Sequence, residues 1–366
     1  MTGTAIRLAR ALGVVLVSSG LAGPARAHVD YVTEEGPPGS PAELFTTVLT
    51  DPLSLALLAA GGLVVAGLAA GYLRFASSLP DVEVARRTLQ SYRPYLPWML
   101  RLSVGLPLVG AGFAGYLFSP SVPAEARLLQ VGIGFCLLFG LATRLVAGIG
   151  LLVYLAALAG DLALLLASEY VAGFLAIVIV GPGQPSADML FRRLVVTDGT
   201  VASRFRGVAT PGALLSRLGV GDGAAPVVLR LFLGANFVYL GVTQKWLEPA
   251  RAASVVARYD LTAVVPVSPE LWVFGAGLVE VAVGLAFLSG TFTRGAAAAG
   301  FVLLTTTLFG LPDDPVLAHV TLFGLSSALM VTGSGRFSLD TAVVPTLRRR
   351  FDTGIDHEGE GRPAAD

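Results

Sequence analysis

Cysteine is almost missing from this 366-residue chain: Cys136 stands alone, so there is neither an internal disulfide nor a CxxC redox pair. Histidine is nearly as scarce. Of His28, His319 and His357, only His319 falls in a long apolar run, which speaks against a bis-histidine haem or a His/Cys metal centre within one chain. No metal ligands are assigned. Charge is thin as well, with 14% Asp, Glu, Lys and Arg, a formal net charge of zero and Lys245 as the single lysine. That balance gives no electrostatic support for nucleic-acid binding, and a soluble chain of this length needs a more charged exterior.

What is present is apolar. Hydrophobic residues make up 54% and mean hydropathy is +0.74. Arg7 and Arg10, the apolar run Ala11–Leu21 and Ala25-Arg26-Ala27 form a secretory signal pattern over residues 1–27. Residues 28–51, with Glu34, Glu35, Pro37, Pro38 and Pro41, read as a loose polar segment outside the cell. Nine apolar runs follow, at 52–73, 98–118, 128–143, 145–160, 163–180, 227–246, 271–289, 295–310 and 316–333. Most approach the roughly 20 residues that cross a hydrocarbon layer about 30 Å thick. The expected fold is an all-α polytopic membrane protein of about nine transmembrane helices. Arginines cluster at 74–93, in a 189–226 loop, at the turns holding Arg144 and Arg294, and at Arg348–Arg350 in a 341–366 tail. The positive-inside rule puts these on the cytoplasmic side of the cell membrane, with the mature N-terminus outside.

The chain repeats itself. GLATR at 140–144 aligns with GTFTR at 290–294, and the same shift pairs Gly134 with Gly284, Gly150 with Gly300 and Gly160 with Gly310. Arg101, Leu102 and Gly105 mirror Arg230, Leu231 and Gly234; GPGQPSAD at 181–188 mirrors GSGRFSLD at 333–340. Residues 98–188 and 227–340 are thus expected as two tandem four-helix units of like orientation, with the 52–75 helix outside the repeat. Parallel repeats weaken any analogy with inverted-repeat transporters.

The chemically loaded residues lie in the second unit. Glu280 shares a helix face with Gly277 and Gly284, so it points at a helix contact rather than lipid. A carboxylate in apolar surroundings must be paired, protonated or solvated in a cavity. Asn236 lies at similar depth, with Arg230 below it and Lys245 above. His319 opens the last helix. The competing reading makes Glu280 a packing ion pair, His319 an interfacial hydrogen-bonding residue, and Arg230 and Arg294 snorkelling anchors. Where the second unit has Glu280 and His319, the first has Gln130 and Glu169.

These residues also carry a resemblance. Arg230, Gly234, Gly241 and Lys245, then Glu280, Gly284, Gly290, Thr293 and Arg294, then His319 and Gly333 to Asp340, resemble the DoxX family of small four-helix membrane proteins. The 98–188 unit resembles it in degenerate form. The resemblance implies a membrane subunit tied to quinone or quinol chemistry. Glu280 and His319 would be its proton-handling residues, and Arg230, Asn236 and Lys245 would contact the ligand. Its partners would be the bilayer, the quinone pool and redox proteins; any enzyme activity would be that of a quinone-linked oxidoreductase subunit. A non-enzymatic scaffold or anchor is the alternative, with a small-solute permease behind it.

Overall fold

Ser40 and Glu43 set the first helix. The Ser40 hydroxyl accepts from the Glu43 amide and the Glu43 carboxylate accepts from the Ser40 amide, closing a capping box ahead of Pro41. Helix α1 (Pro41–Thr50) then buries Leu44 and Val48, so the tail of the segment expected to be loose is an amphipathic helix. The computed structural model describes residues 39–75, 79–124, 127–207 and 211–347. The signal pattern at 1–27, His28 and Arg348–Arg350 lie outside the described residues.

The next helices are α2 (Pro52–Phe75), α3 (Pro80–Ser91) and α4 (Leu96–Ala114), followed by a small hairpin of β1 (Tyr116–Leu117) and β2 (Ser119–Pro123). Then come α5 (Arg127–Phe139), α6 (Thr143–Gly160), a 3₁₀ segment at Leu162–Ala167, α7 (Glu169–Val180), α8 (Ala187–Val196) and α9 (Pro211–Arg217). The second half has α10 (Ala225–Leu240), a π-helical turn at Gly241–Trp246, α11 (Pro249–Arg258), α12 (Leu261–Val264), α13 (Pro269–Ser289), α14 (Thr293–Gly310), α15 (Val316–Thr332) and α16 (Leu339–Ala342). Among the described residues the fold is all-α apart from the hairpin; each of the nine apolar runs forms a helix, but the one expected at 98–118 ends at Ala114, where Gly115 turns the chain with φ 93° into the hairpin.

Among the described residues, five segments are individually long and apolar enough to cross a membrane: Pro52–Phe75, Pro80–Ala114, Thr143–Gly160, Asp222–Trp246 and Pro269–Ser289. Helices α5, α7 and α15 are shorter. The expected 128–143 span stops at Phe139, because Gly140 turns the chain with φ 66°. The expected 163–180 span breaks at Ser168 into a 3₁₀ and an α part. Those two parts rise roughly 12 and 18 Å, so together they still cover about 30 Å.

Helix α4 packs on α5 and α15, while α10 packs on α13 and α7. The first helix of each four-helix group thus lies against the last helix of the other, a twofold-like exchange. Within each group glycines bring backbones together. A Cβ on Gly234 would stand 2.7 Å from the Gly284 carbonyl, and one on Gly134 2.8 Å from that of Gly105.

The helix-end turns recur residue for residue. Ala142 and Phe292 take left-handed conformations at φ 46° and 47°. Asp188 accepts from the amides of Ala142 and Thr143, and Asp340 accepts from those of Phe292 and Thr293. Arg101 donates to the carbonyls of Leu138, Pro182 and Pro185; Arg230 donates to those of Phe287, Leu288, Arg336 and Phe337. Arg144 and Arg294 likewise bind the last carbonyls of α7 and α15. Arg101 and Arg230 are buried and Arg144 and Arg294 half-buried, and all four tie helix ends together through backbone carbonyls rather than snorkelling.

Candidate functional site

The site is built by an irregularity in α10. Gly241 packs so closely on α13 that a Cβ there would meet the Gly277 carbonyl at 2.8 Å and the Glu280 Cβ at 3.1 Å. From Gly241 the helix widens into a π turn, a distortion that often accompanies functional positions. The turn carries Lys245 to Glu280, with Nζ 3.1 Å from Oε1. Trp246 follows, donating its indole N–H to the Phe274 carbonyl and stacking on that ring.

Two further groups come from the opposite wall. Asp314 sits in the turn between α14 and α15 with 7% exposure, and His319 in the first turn of α15 with 3%. His319 Nε2 lies 3.4 Å from Asp314 Oδ2, and Nδ1 lies 3.2 Å from the Pro315 carbonyl. A carbonyl only accepts, so Nδ1 carries a hydrogen and Nε2 is the ring nitrogen that faces the carboxylate. Burial raises the Asp314 carboxyl above its ordinary range, against the pull of His319 and Lys245.

Lys245, Glu280, Asp314 and His319 all line one cavity of about 210 Å³, more than ten times the space one water needs. Phe237, Leu240, Val273, Leu304 and Leu322 supply apolar walls, and Thr306 on α14 brings the cavity to the exposed surface. The roof is α11, whose Ala252 and Val256 are held beneath α1 in a small apolar cluster with Leu44, Val48 and Phe274. Among the described residues, none donates to the buried acceptors Glu280 Oε2 and Asp314 Oδ1. Apolar walls with a few converging polar groups are the usual form of a small-molecule site.

Of the residues singled out from sequence, Lys245, Glu280 and His319 meet here. Arg230 does not; its Nη1 and Nη2 donate to four carbonyls at the far end of α10. Asn236 does not either; it faces α7 and donates to Leu166 and Ser168. A helical wheel places Asn236 near Glu280 in depth, but the neighbour it meets belongs to the other half of the chain. Asp314 is the residue the sequence reading missed as a site member. In the sequence it is one of two adjacent acids, and only its burial sets it apart from exposed Asp313, which bonds Arg258 and Tyr259.

In the first group the corresponding space is filled. Gln130, at the Glu280 position, accepts from Phe118 N and donates to Tyr116 O in the hairpin, and donates to Leu108 O of α4. Phe118 then packs edge-on against Tyr154, Tyr170 and Phe174. Tyr154 is fully buried where the repeat places Leu304 in the second group.

Residues 225–312 match the DoxX family model. The match takes in Lys245 and Glu280 and stops just before Asp314 and His319. No curated protein and no solved structure matches the chain.

Proposed function

We propose, from the DoxX segment and the cavity it builds, that this chain is a quinol-binding subunit of a membrane redox complex, with the cavity at the outer membrane face. The observation that carries this reading is the meeting of Lys245, Glu280, Asp314 and His319 in one apolar-walled cavity that reaches an exposed helix face. A bound quinol supplies two protons and two electrons on oxidation. Glu280, in contact with Lys245 Nζ through one carboxylate oxygen, is placed to take one proton. The Asp314–His319 pair is placed to take the other, next to the surface at Asp313. The electrons pass to a one-electron carrier in a partner protein.

The test is the purified full-length chain in lipid nanodiscs, titrated with a short-chain quinol while tryptophan emission is followed, since Trp272 lines the cavity. Saturable quenching that Leu304→Trp abolishes is expected. In a preparation that retains the partner, Glu280→Gln should cut quinol oxidation at least about tenfold, because general-base contributions run to 10²–10⁴-fold. Absence of saturable binding, or full turnover in a folded Glu280→Gln variant, overturns the reading.

A further inference from the structure

A second ionisable group is buried outside the cavity. Glu169, in the first turn of α7, is 2% exposed at the junction where α7 packs on α10. Among the described residues no basic side chain pairs with it; the polar side-chain atom it meets is Asn236 Nδ2, 3.4 Å from Oε2. Asn236 is fully buried, and its Nδ2 also donates to the Leu166 carbonyl at 3.1 Å and the Ser168 hydroxyl at 3.0 Å. The Leu166 carbonyl can only accept, which fixes the orientation of the amide. Asn236 Oδ1 is left buried without a donor.

An ionised Glu169 would add a second acceptor beside that unpartnered oxygen, in surroundings that do not solvate charge. The first-turn position favours an anion, but it offsets only part of the loss of solvation of a carboxylate without a counter-ion. A proton on Glu169 removes both difficulties, since the acid hydroxyl is the donor that Asn236 Oδ1 lacks. We propose that Glu169 is a proton-binding site in its own right, a neutral carboxylic acid paired with the Asn236 amide across the junction of the two four-helix groups.

The surroundings of Glu169 bear this out element by element. From α6 comes Tyr154, whose hydroxyl donates to the Leu164 carbonyl. From α7 itself comes Tyr170, buried with its ring against Phe118 and Phe174. The arginine of α4, Arg101, is bound at the opposite end of the bundle, and Asp222, before α10, lies at that end too. His319, on α15, faces the cavity. Loss of the proton therefore sets an uncompensated anion against Asn236 and loosens α7 from α10. The junction is held in acid and released in alkali.

Infrared spectra of the full-length protein, with glutamate ¹³C-labelled at the side-chain carboxyl, provide the test. A protonated-carboxyl band should persist well above the ordinary glutamate range, move with the label and vanish in Glu169→Gln while remaining in Glu280→Gln. The thermal midpoint of wild type should fall on raising the pH, and that of Glu169→Gln should not. Should Glu169→Gln fail to fold, Asn236→Ser keeps the acid and withdraws the amide, so the band must shift. A band that is absent, that survives Glu169→Gln, or that is unmoved in Asn236→Ser overturns the proposal. None of these readouts depends on quinol, so the proposal stands or falls apart from the cavity's ligand.

Discussion

Lys245 Nζ lies 3.1 Å from Glu280 Oε1, across the contact between the π turn and α13, with the two side chains 24% and 15% exposed. The pair joins the only lysine of the chain to a carboxylate whose second oxygen has no donor. Removing one partner of a mostly buried pair leaves a stranded charge, which is more costly than losing the attraction itself.

Lys245→Met should therefore destabilise the protein by about 2 kcal/mol or more, and Lys245→Met with Glu280→Leu should recover most of that loss. Thermal midpoints of the four proteins in one detergent form the cycle. If the double variant is as unstable as the lysine variant alone, the pair is not what holds this contact.

Close backbone contact makes a sharper distinction between glycines. Gly284→Val should prevent a monodisperse protein from accumulating, since even a Cβ there meets the Gly234 carbonyl at 2.7 Å. Gly295→Ala should be tolerated, because nothing lies within 4 Å of its added methyl. Fluorescence-detected size exclusion of tagged variants separates the two outcomes.

Asp314 gives a pH dependence of definite sign. Its carboxyl is raised by burial, so the folded state binds that proton more tightly than the unfolded chain. Its contribution is present below the ordinary carboxyl value and is lost as pH rises through the raised one. Above about pH 4, the ordinary carboxyl value, Asp314→Asn should flatten this component of the thermal midpoint. An unchanged slope would remove Asp314 from the titrating groups.

Orientation is open to chemical labelling. In a Cys136→Ser background, cysteines at Thr46 and Ala257 should react with a membrane-impermeant maleimide in intact cells, and those at Gln90 and Arg204 only after lysis. All four positions are exposed. Labelling of the Arg204 position in intact cells would invert the arrangement of the arginine-rich connections.

The helices and their recurrence were legible because they rest on local signals, apolar runs and paired glycine and arginine positions. GLATR and GTFTR mark identical turns because the same Gly φ of 66°, the same left-handed residue before the threonine and the same Asp cap recur at both. The cavity was half legible. Lys245 and Glu280 could be placed on facing stripes, but the π turn that brings them together depends on the approach of Gly241 to Gly277. Asn236 was misjudged because its partners come from α7 and the segment before it, distant in sequence; Asp314 was not singled out because only its burial in the folded chain marks it. Helical periodicity records which face is apolar, not which partner covers it.

The aromatic filling around Phe118 and Tyr154 bears on stoichiometry. A duplicated bundle with two equivalent chambers would saturate at two ligands per chain, with scope for cooperativity between them. Here one chamber is occupied by its own side chains, so binding should follow a single-site isotherm with one equivalent per polypeptide. The filled half then serves as a reference copy of the same architecture. Replacing Tyr154 with Leu and Gln130 with Glu in that half asks directly whether a second equivalent appears.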